Sequence, residues 1–438
     1  MLLLQNGWIL DPYTGTDGKR DILINDAGSI VRIHPHITEW AEQIIDVEGK
    51  TIAPGFVDVH VHFRDPGQTY KEDLASGAAA AVRGGYTTVV CMANTKPVCD
   101  NVETLAYVLH KAESLPVRVL QAAAVTKGLS GEELTDFAAL WQAGAAGFTD
   151  DGVNLDSEDL CRNAMKQAAA LGAPISFHEE NPAFLHGAGV NAGSAAARKL
   201  GVGGAHRAAE ESMVRRDILL AQETGAAVIF QHISSEESVE MIRQARRNHP
   251  NIHCEATPHH ISLTEADVLR FGANAKMNPP VRLERDRQAI IAGLKDGTVD
   301  IIATDHAPHS RAEKNQPFCR APSGIIGLET AFSVCNTYLV RPGHLERWQL
   351  IEKMSVNPAK IYGLSGKEIA EGNRAELVLL DWEPQIVYDT YVSKADNSPY
   401  TGLPLFGRVH GIVTGSRALL YGRQESTMEY GGSGRKTG

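Results

Sequence analysis

Residues whose types and spacing could do chemistry gather at a few points of the chain, the first being Gly55 to Gly67, GFVDVHVHFRDPG. Val57, Val59 and Val61 alternate with Asp58, His60 and His62, and a strand's period of two puts the polar set on one face. Two imidazoles pointing the same way can reach one metal ion. The Asp, Pro and Gly that follow stop the strand just beyond them. Alone, an H-x-H on a strand is more often a pair of ordinary histidines. Side chains of the same chemical kind recur further on, at Asp150-Asp151-Gly152, His178, His232 and Asp305.

The elements that must position them come next. From Gly55 onward apolar strand runs alternate with Ala-rich helical stretches, the pattern of parallel βα units. Eight strands are expected: 56–63, 87–94, 117–125, 145–149, 174–178, 226–233, 252–257 and 299–304. Helices are expected between them, over 73–84, 102–114, 157–171, 210–224 and 236–249. This predicts an α/β fold with a (β/α)8 TIM-like barrel, a doubly wound sheet being the rival. In a barrel the C-terminal strand ends meet at one mouth, so residues hundreds of positions apart fall on one site. His60, His62, Asp151, His178, His232 and Asp305 all follow or close such strands. Four histidines and two carboxylates form a nitrogen and oxygen donor set suited to Zn2+ or a similar divalent ion, with enough ligands for two.

Residues 1–54 instead carry short strand-like runs split by Gly, Asp and Asn turns, and strands return after about Gly363. The expectation is one small β-sandwich-type domain built from 1–54 plus 364–438, with the barrel, 55–363, inserted. Gly431 to Gly438 is low in apolar residues and is expected to fray.

Composition narrows the class. The chain has 438 residues, 43 % hydrophobic and 22 % charged, which fits a globular protein with a sizeable core. A formal charge of −11 argues against a general nucleic-acid or anionic-membrane surface. The 6 cysteines show no C-x-x-C pair, and no run approaches the about 18 apolar residues of a membrane span. A cytoplasmic location is expected.

The motifs also resemble a known family. GFVDVHVHFRDPG, MANT at 92–95, FTDDG at 148–152, FHEE at 177–180, TPHH at 257–260, KMNPP at 276–280 and ATDHAPH at 303–309 look like the larger bacterial class of dihydroorotase, within the amidohydrolase superfamily. The likeness covers nearly the whole chain. It implies reversible cyclisation of N-carbamoyl-L-aspartate to L-dihydroorotate in pyrimidine biosynthesis, with a metal-bound hydroxide as nucleophile and Asp305 as general acid and base. It implies His60, His62, Asp151, His178, His232 and Asp305 as ligands, for two Zn2+ per subunit or other divalent ions. Asp151 would bridge the ions where many relatives use a carboxylated lysine, Lys127 being the rival bridge. Arg64, falling on the same face two residues past His62, would pair with the substrate carboxylate. Asn94 and His309 resemble the family's other carboxylate contacts, and Asn278 a contact to the ring. A homodimer, and assembly with aspartate carbamoyltransferase as in some relatives, are further expectations. His259, His260 and His306 are expected to support the ligands by hydrogen bonds, and 310–322 to form a loop near the site that could act as a lid.

Two rival functions stand beside this one. One is a relative acting on an uncharged cyclic amide, such as a dihydropyrimidinase, hydantoinase or allantoinase, for which Arg64 has no purpose. The other is a non-catalytic scaffold, against which the retention of all six ligand-type residues argues.

Overall fold

The computed structural model describes residues 1–187 and 189–421, together with the backbone of 429–430. Eight parallel strands close on themselves. Barrel strands one to three (Phe56–Val61, Tyr86–Cys91, Arg118–Gln121) form one ladder, and strands four to eight (Phe148–Thr149, Ile175–Phe177, Val228–Phe230, Ile252–Ala256, Ile301–Ile302) form another. Parallel bridges Ala123 to Phe148 and Val61 to His306 join the two ladders on both sides and complete the barrel. Helices Leu74–Gly84, Val102–Ala112, Glu158–Leu171, Ala208–Thr224 and Glu236–Arg246 lie between the strands.

Local chemistry sets these helices. Asp73, Asn101, Ser157 and Ser235 each accept a main-chain N–H of the following first turn. Gly85, Gly172 and Gly225 end their helices in the left-handed region. All the expected strand runs but the fourth, which is shortened at its start, are trimmed at their mouth ends. Thr95 N turns back onto the Ala93 carbonyl at 2.8 Å, for example, so strand two leaves the ladder before Asn94.

The two chain ends share a nine-stranded sheet. Its order is Glu429–Tyr430, Arg417–Leu420, Pro404–Thr414, Glu376–Val387, Thr51–Pro54, Leu2–Asp11, Thr16–Ile24 and Ile30–His34, with Gln43–Asp46 beside Leu2–Asp11. Thr51–Pro54 is the seam, antiparallel to Glu376–Val387 and parallel to Leu2–Asp11. The sequence reading missed this strand because it is four residues long and ends in Pro. Leu4, Ile9, Ile24, Ile52, Leu377 and Val413 pack into a core of the sheet's own. The Gly431–Gly438 segment lies outside the described residues. Among the described residues no helix is long and apolar enough to cross a membrane.

Candidate metal centre

Strand one delivers both histidines, though not by simple alternation. Its register against strand two slips between Asp58 and Val61, an irregularity that re-aims side chains near a strand end. Asp58, buried here, accepts from the Thr304 amide at 3.2 Å and its hydroxyl at 2.6 Å, tying strand one to the end of strand eight. Arg64 does not reach the site by sharing a strand face with His62. The strand is over, and a left-handed backbone (φ 57°) turns Arg64 toward the cavity. His232 and Asp305 also have positive φ, 33° and 47°, so three site residues sit in conformations that L side chains seldom adopt.

All six ligand-type residues converge. His60 Nε2 lies 3.4 Å from Asp151 Oδ1 and 3.5 Å from Asp305 Oδ1, and His62 Nε2 lies 3.0 Å from Asp305 Oδ1 and 3.4 Å from Asp151 Oδ2. His178 Nδ1 and His232 Nε2 each stand 3.8 Å from Asp151 Oδ1 and 2.9 Å from one another. Asp151 thus touches all four imidazoles. Two donor groups, His60 with Asp151 and His232, and His60 with His62 and Asp305, are each compact enough for one ion.

The orientation of the rings fits metal binding. His60 Nδ1 is held by Glu255 at 2.5 Å and His62 Nδ1 by the Asn94 side-chain oxygen at 2.9 Å, so each ring turns Nε2 inward. His60 Nε2 is buried without a hydrogen-bond partner. A buried, unpartnered nitrogen among carboxylates and imidazoles is what a divalent cation satisfies. Burial opposes the charge on His60, yet Glu255, Asp151 and Asp305 raise its basicity well above normal. Burial likewise works against the Asp151 and Asp305 carboxylates, but His60 and the other imidazoles hold both below the ordinary range.

Over this cluster lies a cavity of about 230 Å³ whose walls include Arg64, Asn94, Asn278 and His309. Larger hollows of about 640 and 1050 Å³ exist elsewhere, without such converging donors. Asn94 Nδ2 donates to Asp151 Oδ2 at 3.1 Å, and Asn278 Nδ2 donates to Glu180 at 2.8 Å. His309 Nε2 donates to the Ser323 carbonyl at 2.8 Å, while Lys71 Nζ stands 3.3 Å from its Nδ1. Lys127 is not at the site. Its side chain is 55 % exposed and pairs with Glu133 at 2.5 Å, which removes it as a bridging group in this structure.

Of the three histidines expected to support the ligands, His260 instead bonds Thr257 and the Pro279 carbonyl, and the His306 ring instead lies 3.3 Å from Glu72. His259 Nε2 is buried without a hydrogen-bond partner. Sequence reasoning missed Glu255, which holds His60 and also accepts the His232 amide at 3.2 Å. An acid inside the apolar strand Ile252–Ala256 was the available signal.

A barrel mouth carrying four histidines and two aspartates over a closed sheet defines a metal-hydrolase type of site, and comparison with solved structures gives the same architecture. The structure overlays L-hydantoinase (dihydropyrimidinase) from Arthrobacter aurescens with a TM-score of 0.85 at 24 % identity, covering 96 % of each chain. Dihydropyrimidinase from Brevibacillus agri gives 0.83 at 21 % identity, covering 96 % of this chain and 95 % of that one. At these identities the likeness is one of fold. Sequence narrows it further. Residues 49–238 match the dihydro-orotase-like family model. Dihydroorotases of Clostridioides difficile and Clostridium acetobutylicum are 52 % and 48 % identical, each over 94 % of this chain and 98 % of the relative. The chain belongs to the dihydroorotase family.

Proposed function

We propose that the protein interconverts N-carbamoyl-L-aspartate and L-dihydroorotate, with the six converging residues holding divalent metal, two Zn2+ in our reading. The observation that carries the substrate choice is a half-buried Arg64 facing the same small cavity as the cluster. A cyclic amide bearing a carboxylate matches both halves of that cavity, whereas an uncharged ring leaves a partly desolvated guanidinium without a counter-charge.

Bound metal would supply the Lewis acidity that makes water a nucleophile at neutral pH. His60, His62, His178 and His232 would hold it together with the Asp151 carboxylate. In hydrolysis Asp305 takes a proton from the attacking water and gives it to the ring nitrogen as the carbon–nitrogen bond breaks. In ring closure the same carboxylate removes the nitrogen's proton and returns it to departing oxygen. Arg64 pairs with the substrate carboxylate, Asn94 and His309 flank it, and Asn278 faces the ring.

We also take 1–54 with 364–438 as one domain and 55–363 as the other, in a cytoplasmic homodimer able to assemble with aspartate carbamoyltransferase. Sedimentation of the protein alone, and mixed with that transferase, checks both associations. The function is tested by the metal content of purified protein, followed by cyclisation of carbamoyl-aspartate and hydrolysis of dihydroorotate at several pH values. Dihydrouracil, hydantoin and allantoin serve as rivals. Preference for any of these uncharged rings would overturn the reading.

A further inference from the structure

His309 is held from three directions, and one of the holders comes from the far end of the chain. After the strand Glu376–Val387, residues 388–403 return to the barrel. They are fastened there by Ser393 on Glu72 and by Glu329, which accepts the Val392 and Ser393 amides at 2.9 and 3.0 Å. This return places Asn397 at full burial, 1 % exposed.

Every polar atom of the Asn397 side chain is used. Its Oδ1 accepts the His309 amide at 3.1 Å, and its Nδ2 donates to the Ala307 and Gly324 carbonyls, each at 3.0 Å. Its own carbonyl accepts the Ile326 amide at 3.1 Å. Ala307 is two residues past Asp305, and Gly324 is next to Ser323, whose carbonyl receives His309 Nε2. Gly324 has φ +148°, and a Cβ there would come within 2.6 Å of the His309 ring. One buried amide therefore joins the loop that bears Asp305 and His309 to the segment against which the His309 ring lies.

We infer that Asn397 is a positioning residue for the carboxylate end of the substrate, acting through His309. The inference rests on the reading of His309 as a carboxylate contact. The site needs one acceptor and two donors at fixed directions, a set that an amide has and an ionised carboxylate lacks. Asp at this position would keep the bond to the His309 amide and turn a negative oxygen toward two carbonyls.

The test is a double-mutant cycle on the metal-loaded enzyme, with wild type, Asn397→Ala, His309→Ala and the double variant. Asn397→Ala should raise KM for dihydroorotate about tenfold while kcat changes much less and metal content stays at the wild-type level. In the His309→Ala background the same change should add almost nothing to KM. Asn397→Asp should behave like Asn397→Ala, and Asn397→Ser takes its place in the cycle if the alanine variant does not fold. Additive effects on KM, or loss of metal together with kcat, would overturn the inference. An inactive wild-type enzyme would sink the functional reading, and this inference with it, before any variant is compared.

Discussion

The two sides of the cavity are built differently. On the metal side, His60 lies within its strand, and His62, His178 and His232 come one or two residues after theirs. The rings of His60 and His62 are locked by Glu255 and Asn94. On the side we propose for the substrate carboxylate, Arg64, Asn94, Asn278 and His309 lie on loops and are oriented by other loops, such as Glu180 for Asn278 and Ser323 for His309. In the proposed reading, the groups that converge on ions sit at strand ends or within three residues of them, and the groups that select the substrate sit on loops tied to other loops.

Experiments can break or sharpen this contrast. Stripping metal with a chelator should abolish turnover and Zn2+ should restore it; full activity in metal-free protein would remove the metal side from the chemistry. Asp305→Asn should retain much of the metal yet lose on the order of 10²–10⁴ in turnover in both directions, measured as kcat for cyclisation and hydrolysis. Arg64→Ala belongs to the other side and should weaken dihydroorotate binding by about 2–5 kcal/mol. A greater loss for neutral hydantoin than for dihydroorotate would contradict that division.

A smaller effect concerns pH. Burial, with Arg64, Lys71 and Lys314 nearby, holds His309 down to about 2, so the folded chain keeps it neutral while the unfolded chain takes up a proton below about pH 6.5. Its contribution to stability is complete above that pH and is lost as pH falls toward 2. Replacing it with Gln should flatten the wild type's loss of stability between roughly pH 6 and 4, by at most about 1.4 kcal/mol per unit in denaturant titrations. Least of all should Lys127→Ala matter: metal content and turnover unchanged. A drop in bound metal would restore Lys127 as a bridging candidate.

The same division explains what could be read from sequence. All eight barrel strands and the six ligand-type residues were legible, because apolar runs and their last polar residue are local signals that the barrel brings together. Arg64 was found for the wrong geometric reason, since alternation was assumed to continue where the backbone turns left-handed. Glu255 and Asn397 were missed. Each acts on residues far away in the chain, 195 positions in the case of Glu255 and His60, and a local pattern such as an acid inside an apolar strand can flag the residue without naming its partner.

The seam strand Thr51–Pro54 has a consequence for how the protein is made. Its partner begins at Glu376, about 320 residues downstream of Pro54. At roughly 5–20 residues per second, the ribosome takes some tens of seconds to supply it. Throughout that interval the first strands present an open, apolar edge to the cell. The last strands complete both the sheet and the core of the first ones, so a nonsense mutation before Glu376 should release an aggregating fragment instead of a bare barrel.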